Sequence, residues 1–274
     1  MDKRGLKRIL SLIIAVSLCL GLVGCGGTGS DDQAAKDDSL QAVLDSGQLV
    51  LGLDADFPPM GFTGKTGKIV GFDIDVAREV CKRMGVELVC RPIKWDEKEE
   101  ELNSGEIDCI WNGMSVTRDR ELAMTLSDPY MKNELIFVVT DKSDAKATWD
   151  LVGRKVGVQA GSTAEETLRE SDLFGQVTMV PLDSNMKLID KVLDGTLDAI
   201  LVDSVVAYYY VFLSDEKFYV LPESLHEEEY AIGFRKGDMA LRDKVQQTLS
   251  DMKADGTLNF ISTEWFGCDI TTVR

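Results

Sequence analysis

Short apolar runs alternate along this chain with segments whose apolar positions recur every three or four residues. "QLVLGL" at residues 48–53 is a strand-like run. It precedes "FDIDVAREVCKRMG", in which Ile74, Ala77, Val80, Cys81 and Met84 share one helical face and Gly85 supplies a C-terminal stop. "VELVC" predicts a second strand, "WDEKEEELNSG" a charged helix ending near Gly105, and "IDCIW" a third strand that halts at Asn112-Gly113. The pattern then resumes with "KVGV" (155–158), "TAEETLRE", "VTMVPL", "NMKLIDKVLDG", "LDAIL" and the long apolar helix "SVVAYYYVFL". Such alternation predicts an α/β fold, a parallel sheet flanked by helices.

Two stretches match. "LNSGEIDCI" (102–110) and "VLDGTLDAI" (192–200) share the pattern apolar-x-x-Gly-x-apolar-Asp-x-Ile, starting at 102 and 192 and so 90 residues apart. A true duplication of helix, glycine cap and strand would make the body two similar α/β lobes. In open α/β sheets, ligands sit beyond the carboxyl ends of the strands at a switch in strand order. Just past the strands come Asp54, Asp56, Phe57 and two prolines; Asn112, Gly113, Ser115 and Arg120; Ser162 and Thr163, opening a helix; and Asp203. A cation and an anion thus stand at corresponding ends of the two lobes. An α-amino acid would offer a carboxylate to Arg120 and an ammonium to Asp203.

The first residues do not belong to this pattern. "MDKRGLKR" is basic and "ILSLIIAVSLCLGL" apolar, the arrangement of an export signal, and the run is short for a bilayer span, which needs about 20 residues. It ends in "LVGC" (22–25), which resembles a bacterial lipobox with cleavage before Cys25 and lipidation of its sulfur; the competing reading is an uncleaved anchor helix. Residues 1–24 are therefore expected to be a lipoprotein signal peptide and residues 25–38 a flexible tether, placing the protein outside the cytoplasm on a membrane.

Removing residues 1–24 takes away Lys3, Arg4, Lys7 and Arg8 against Asp2, so the formal charge moves from −17 to −20. An acidic body without clustered Lys and Arg argues against nucleic acid as a partner. Cys81, Cys90, Cys109 and Cys268 show no CxxC spacing and His226 is the sole histidine, so neither a metal nor a cofactor is expected. Export permits a Cys81–Cys90 disulfide; buried free thiols are the alternative.

"DFPPMGF", "GFDIDVAREV", "GMSVTRDRE", "SDPYM", "KVGVQAGST", "LDAILVDSVVA", "AIGFRKGD" and "ADGTLNFISTEWF" occur in the order seen in the polar amino-acid-binding lipoproteins that feed ABC importers. The chain resembles that family over residues 39–268. The resemblance implies a periplasmic-binding-protein-like fold of the two-crossover class, with lobe 1 formed by residues 39–131 and 228–274 and lobe 2 by 132–227. It implies hinge crossings near 131–135 and 227–231, and closure on one amino acid in a monomer that docks on a permease.

By the same resemblance, Arg120 grips the ligand carboxylate, a role its planar fork suits; otherwise it is a surface arginine paired with Asp119 or Glu121. Asp203 takes the ammonium or merely caps the next helix. Phe57 and Trp95 sandwich the side chain or serve only as core. Asn112, Gly113 and Ser115 offer hydrogen bonds, and Ser162 and Thr163 offer helix N-terminal amides. Asp54 matches a position acidic in binders of basic amino acids and of glutamine. Gln159 stands where a glutamine binder often carries lysine, which turns the reading toward arginine or lysine, then glutamine or another polar amino acid, with cystine below both. A sensory lipoprotein and a cyclohexadienyl-type lyase using Asp54 and Asp56 as an acid–base pair are the rival classes; no catalytic residue is expected.

Overall fold

The computed structural model describes residues 37–213 and 217–274, and Asp37–Arg274 form one compact unit. The expected signal peptide, Cys25 and most of the tether lie outside the described residues. The sheet path runs β10-β9-β11-β8-β12-β6-β1-β5, where β1 is Gln48–Leu53, β5 Glu87–Pro92, β6 Cys109–Ser115, β8 Met131–Thr140, β9 Lys155–Gln159, β10 Thr178–Leu182, β11 Ala199–Asp203 and β12 Phe218–Arg235. A small sheet of β2 (Asp56–Phe57), β3 (Gly61–Thr63) and β4 (Ile69–Val70) and the short β7 (Met124–Leu126) complete the strands.

The two halves of this path repeat one another. β1 pairs in parallel with β5 on one side and β6 on the other; β9 pairs in parallel with β10 on one side and β11 on the other. Gly52 registers with Ile110 and Gly157 with Ile200. Asp108 and Asp198, the aspartates of the matched nine-residue pattern, each accept a hydrogen bond at 2.8 Å from the backbone amide of a neighbouring strand, that of Val50 and that of Lys155. A Cβ on Gly52 would fall 2.4 Å from Ile107 Cδ1, and one on Gly157 would fall 2.5 Å from Leu197 Cδ1. The duplication read from the sequence is therefore structural, down to the apolar residue that requires each glycine.

Each parallel half is buried on both faces, as such sheets require. Along β8, Leu135, Phe137 and Val139 enter one core and Ile136 and Val138 another; along β11, Ala199 and Leu201 alternate with Ile200 and Val202 between the same two cores. In the first lobe, Cys109 and Trp111 of β6 face one core while Ile110 and Met114 face the other. The helices cover these faces: α1 (Ser39–Ser46), α2 (Phe72–Met84), α3 (Lys98–Ser104), α4 (Arg118–Ala123), α5 (Thr163–Glu170), α6 (Asn185–Leu193), α7 (Ser204–Leu213), α8 (Met239–Ala254) and α9 (Thr257–Phe266). The expected face of α2 is buried throughout and its end is capped by Gly85 in the left-handed region.

Two antiparallel strands carry the chain between the lobes. β8 and β12 pair from Tyr230↔Met131 through Glu227↔Glu134 and onward to Phe218↔Thr140, and β12 also pairs antiparallel with β6. The sheet is thus mixed rather than parallel throughout, because these crossings enter it reversed. Cys81, Cys90, Cys109 and Cys268 are free thiols, so Cys81 and Cys90 are not bonded to one another.

The entry to α2 depends on Gly71, at φ 147°, where a Cβ would lie 2.1 Å from the Met60 carbonyl oxygen. Backbone, unlike a side-chain end, cannot yield there. Gly71→Ala is expected to cost at least about 2 kcal/mol of folding stability, measured by urea denaturation, because strained backbone adds to the clash.

Candidate functional site

Chain order puts a switch point in each lobe. β5 and β6 leave β1 on opposite sides, and β10 and β11 leave β9 on opposite sides. Residues beyond the carboxyl ends of β1 and β6 in one lobe and of β9 and β11 in the other therefore face a common crevice. One cavity occupies it, lined by Asp54, Phe57, Trp95, Asn112, Gly113, Ser115, Arg120, Gln159, Ser162, Thr163 and Asp203. Of the acidic, aromatic and polar residues selected at the strand ends, Asp56 alone lies outside that lining.

Arg120 sits in α4, whose N-terminus is capped by Thr117 accepting from the Arg120 amide at 3.2 Å. Its Nη1 donates to the Ser115 carbonyl at 2.8 Å, while Nη2, fully buried, has no partner among the described residues. Asp119 and Glu121 are exposed whereas Arg120 is 3% exposed, which discards the surface ion pair. Burial pushes Arg120 down from its ordinary value, yet a guanidinium starts so high that it remains charged. A buried charge with an unsatisfied donor is costly unless an anion meets it.

Asp203 ends β11. Its Oδ1 accepts from Asn133 Nδ2 and from the Tyr230 hydroxyl, both at 2.6 Å. Asn133 Nδ2 also reaches Glu228 Oε2 at 2.9 Å, and Ser115 Oγ donates to the same oxygen at 2.9 Å. Burial and then the Glu228 carboxylate hold Asp203 well above the usual carboxylate range. Two acidic groups share one amide at the hinge strands, a setting that favours an ammonium.

Asp54, just past the carboxyl end of β1, also lines the cavity. Its Oδ1 accepts from the Asp56 amide at 2.9 Å and its Oδ2 from Gln159 Nε2 at 2.6 Å, while Asn185 fixes the Gln159 carbonyl at 2.7 Å. Burial raises Asp54 to about 6. Asp56 is exposed and outside the cavity lining, so Asp54 and Asp56 do not face one reaction centre as an acid–base pair.

Phe57 and Trp95 line the cavity and also belong to the cores beneath it. Ser162 caps α5, accepting from the Glu165 amide at 3.4 Å, and Thr163 Oγ1 meets Ser115 Oγ across the lobes at 3.4 Å. The strand predicted to stop at Asn112 continues to Ser115; it passes through Gly113 at φ 58°, whose amide donates to the fully buried Asp73 at 2.8 Å. Asn112 Oδ1 in turn holds the Asp54 amide at 2.9 Å.

The region matching the family model of bacterial extracellular solute-binding proteins, family 3, spans residues 49–268. The chain belongs to that family. As a family 3 protein it is 31% identical over 267 residues to the L-cystine-binding protein TcyJ of Escherichia coli strain K12, with 97% of each chain covered. It is 30% identical to the arginine-binding extracellular protein ArtP of Bacillus subtilis strain 168, covering 95% of this chain and 98% of that one. A substrate-binding protein of Streptococcus pneumoniae with bound histidine superposes with a TM-score of 0.83 at 32% identity, covering 86% of this chain and 99% of the other. These family 3 relatives carry different amino acids in their names, so kinship gives the family and the two-lobe fold without the cargo.

Sequence reading missed Lys98, Asn133, Asn185, Glu228 and Tyr230. Lys98 lies in a run of glutamates, yet it is one helical turn before the buried Leu102 and was legible on that face. Glu228 shares a strand face with Tyr230, both buried, while Glu227 and Glu229 are exposed. The period of two separates it from its acidic neighbours. His226 is exposed.

A Cβ on Gly113 would lie 2.8 Å from Phe57 Cε1 and 3.1 Å from Tyr230 Cε2. Gly113→Ala is expected to displace Phe57 into the cavity and abolish measurable amino-acid binding by calorimetry in protein that still unfolds cooperatively.

Proposed function

We propose that this protein is an extracytoplasmic receptor, lipid-anchored through Cys25, that closes on one polar L-amino acid and delivers it to the permease of an ABC importer. Arginine or lysine is the proposed cargo. The carrying observation is the charge inventory of the cavity: one guanidinium, Arg120, against two carboxylates, Asp54 and Asp203. A basic amino acid presents the complement, one carboxylate and two cations. Cystine would bring a second carboxylate, and the lining offers it no second cation. Glutamine would leave the ionised Asp54 with no opposite charge, a cost that burial enlarges.

In this reading Arg120, with the amides at the N-terminus of α5, receives the α-carboxylate. Asp203 receives the α-ammonium, and the side chain runs between Phe57 and Trp95 toward Asp54 and Gln159. Residues 39–131 with 228–274 act as one lobe and 132–227 as the other, turning about β8 and β12. A ligand shifts such an equilibrium only through its greater affinity for the closed form, so contacts from both lobes are required. Arg120 and Asp203 supply them from opposite sides.

Arg120→Ala or Asp203→Ala is expected to weaken binding about thirtyfold or more, since losing one partner of a buried charge pair costs about 2–5 kcal/mol. Titration calorimetry showing unchanged affinity in both variants would remove the model. Thermal-shift screening against the twenty amino acids and cystine should single out arginine or lysine as stabilisers.

The Asp54 pKa of about 6 adds a pH test. A cationic side chain binds the ionised carboxylate, so binding expels the proton that Asp54 carries at low pH. Arginine affinity should therefore rise as pH climbs through the pKa that Asp54 has without ligand, at most about 6, and level off above it, losing on the order of tenfold per unit below that pKa. Asp203 imposes a similar dependence on every amino acid, so the diagnostic is the additional fall for arginine relative to glutamine. Asp54→Asn should erase that difference.

A further inference from the structure

A lysine is buried where the lobes meet. Lys98, at the start of α3 in the first lobe, is 6% exposed. Its Nζ donates to the Trp95 carbonyl at 3.2 Å in its own lobe and to the Gly161 carbonyl at 3.0 Å in the other, and stands 5.2 Å from the centroid of the Trp95 ring. Both acceptors are carbonyls, not carboxylates. The turns that bring them together are tightly packed: a Cβ on Gly161 would lie 2.8 Å from Asp96 Cα. Parting of the lobes would break the contact to Gly161 and open that side of the ammonium to water.

Lys98 does not line the ligand cavity, yet it shares the electrostatic surroundings of Arg120, the buried guanidinium that does. Closure therefore withdraws from water two cations that the first lobe already holds near one another, and their repulsion, strengthened at low dielectric, opposes it. Glu99 of its own helix, Glu166 of α5 and Asp96 of the preceding turn offset this from a distance. An anion seated on Arg120 would cancel the remainder.

We propose that Lys98 makes closure conditional on the ligand's carboxylate: together with Arg120 it penalises closing on nothing, or on an amine of the same shape lacking the carboxyl group. Lys98 is then a specificity-determining residue that acts through the lobe equilibrium and touches no ligand. The identity of the anion as an amino-acid carboxylate rests on the function proposed above; the penalty itself does not. Burial first, and then Arg120, push the Lys98 ammonium down to about 8 in the closed form. An exposed lysine in an open form would titrate near its ordinary value of about 10.4. Closing thus sheds a proton above pH 8, so closure without any ligand should become easier as pH rises from about 8 to 10 and should not depend on this group below 8.

The test compares the wild-type protein with Lys98→Met, which keeps the apolar stem, and Lys98→Gln, which keeps a donor but not the charge. Small-angle scattering at pH 7 and 9.5 without amino acid reads the closed fraction. Calorimetry at pH 7 reads the affinities for arginine and lysine and for agmatine and cadaverine, their decarboxylated forms. The expectation is a larger closed fraction in both variants at pH 7, a wild-type closed fraction that grows at pH 9.5 while theirs does not, and a preference for amino acid over amine reduced about tenfold or more. A smaller closed fraction in both variants would make Lys98 a latch and overturn the proposal. An unchanged closed fraction together with unchanged preference would also overturn it. Should the wild type bind no amino acid, the functional reading fails, while the ligand-free comparison at the two pH values still judges Lys98.

Discussion

A guanidinium withdrawn from water must be met by an anion, and here it is met by none of the carboxylates on its own helix. Arg120 uses one nitrogen on the Ser115 carbonyl and leaves another buried without a partner among the described residues. The rest of the crevice is arranged around that fact. Among the described residues no carboxylate pairs with it: Asp203 and Glu228 at the hinge strands and Asp54 after β1 are each held by neutral donors instead of by cations. Collapse of these charges onto one another would satisfy the protein and leave nothing for a ligand. Rigid neutral donors, Asn133, Tyr230 and Gln159, keep them apart.

This separation depends on the duplicated α/β lobes. Each lobe offers the carboxyl ends of its parallel strands to the crevice, so a group placed just after a strand in one lobe faces a group placed just after a strand in the other. Asp108 and Asp198 fix the last strand of each lobe to its neighbour through the same hydrogen bond, which sets the register from which Asn112, Ser115 and Asp203 project. β8 and β12 then connect the lobes with paired backbone, and their side chains Asn133, Glu228 and Tyr230 belong to the charge network itself. Hinge and binding site are therefore one structure.

Much of this was legible beforehand. Helical period located the buried face of α2, the capping residues located its end, and the matched nine-residue pattern revealed the duplication before any coordinates. The strand-end rule then selected Asp54, Phe57, Asn112, Gly113, Ser115, Arg120, Ser162, Thr163 and Asp203, which line the cavity, together with Asp56, which does not, and the resemblance to the family added Trp95 and Gln159. Glu228 and Lys98 escaped because neighbouring charges mask them: an acidic run and a charged helix both read as solvated faces. Only the burial of Tyr230 and Leu102 on the same faces marks them as different.

Sequence by itself determined the elements, the twofold repetition and the residue types at the strand ends, because period, capping and steric fit are local and each is encoded within a few residues. Tertiary structure decided which charges face one another and which are stripped of water. The Asp54–Gln159 and Lys98–Gly161 contacts join residues 105 and 63 positions apart across the lobes. Their energies depend on distance and burial in space, quantities that no local pattern along the chain contains.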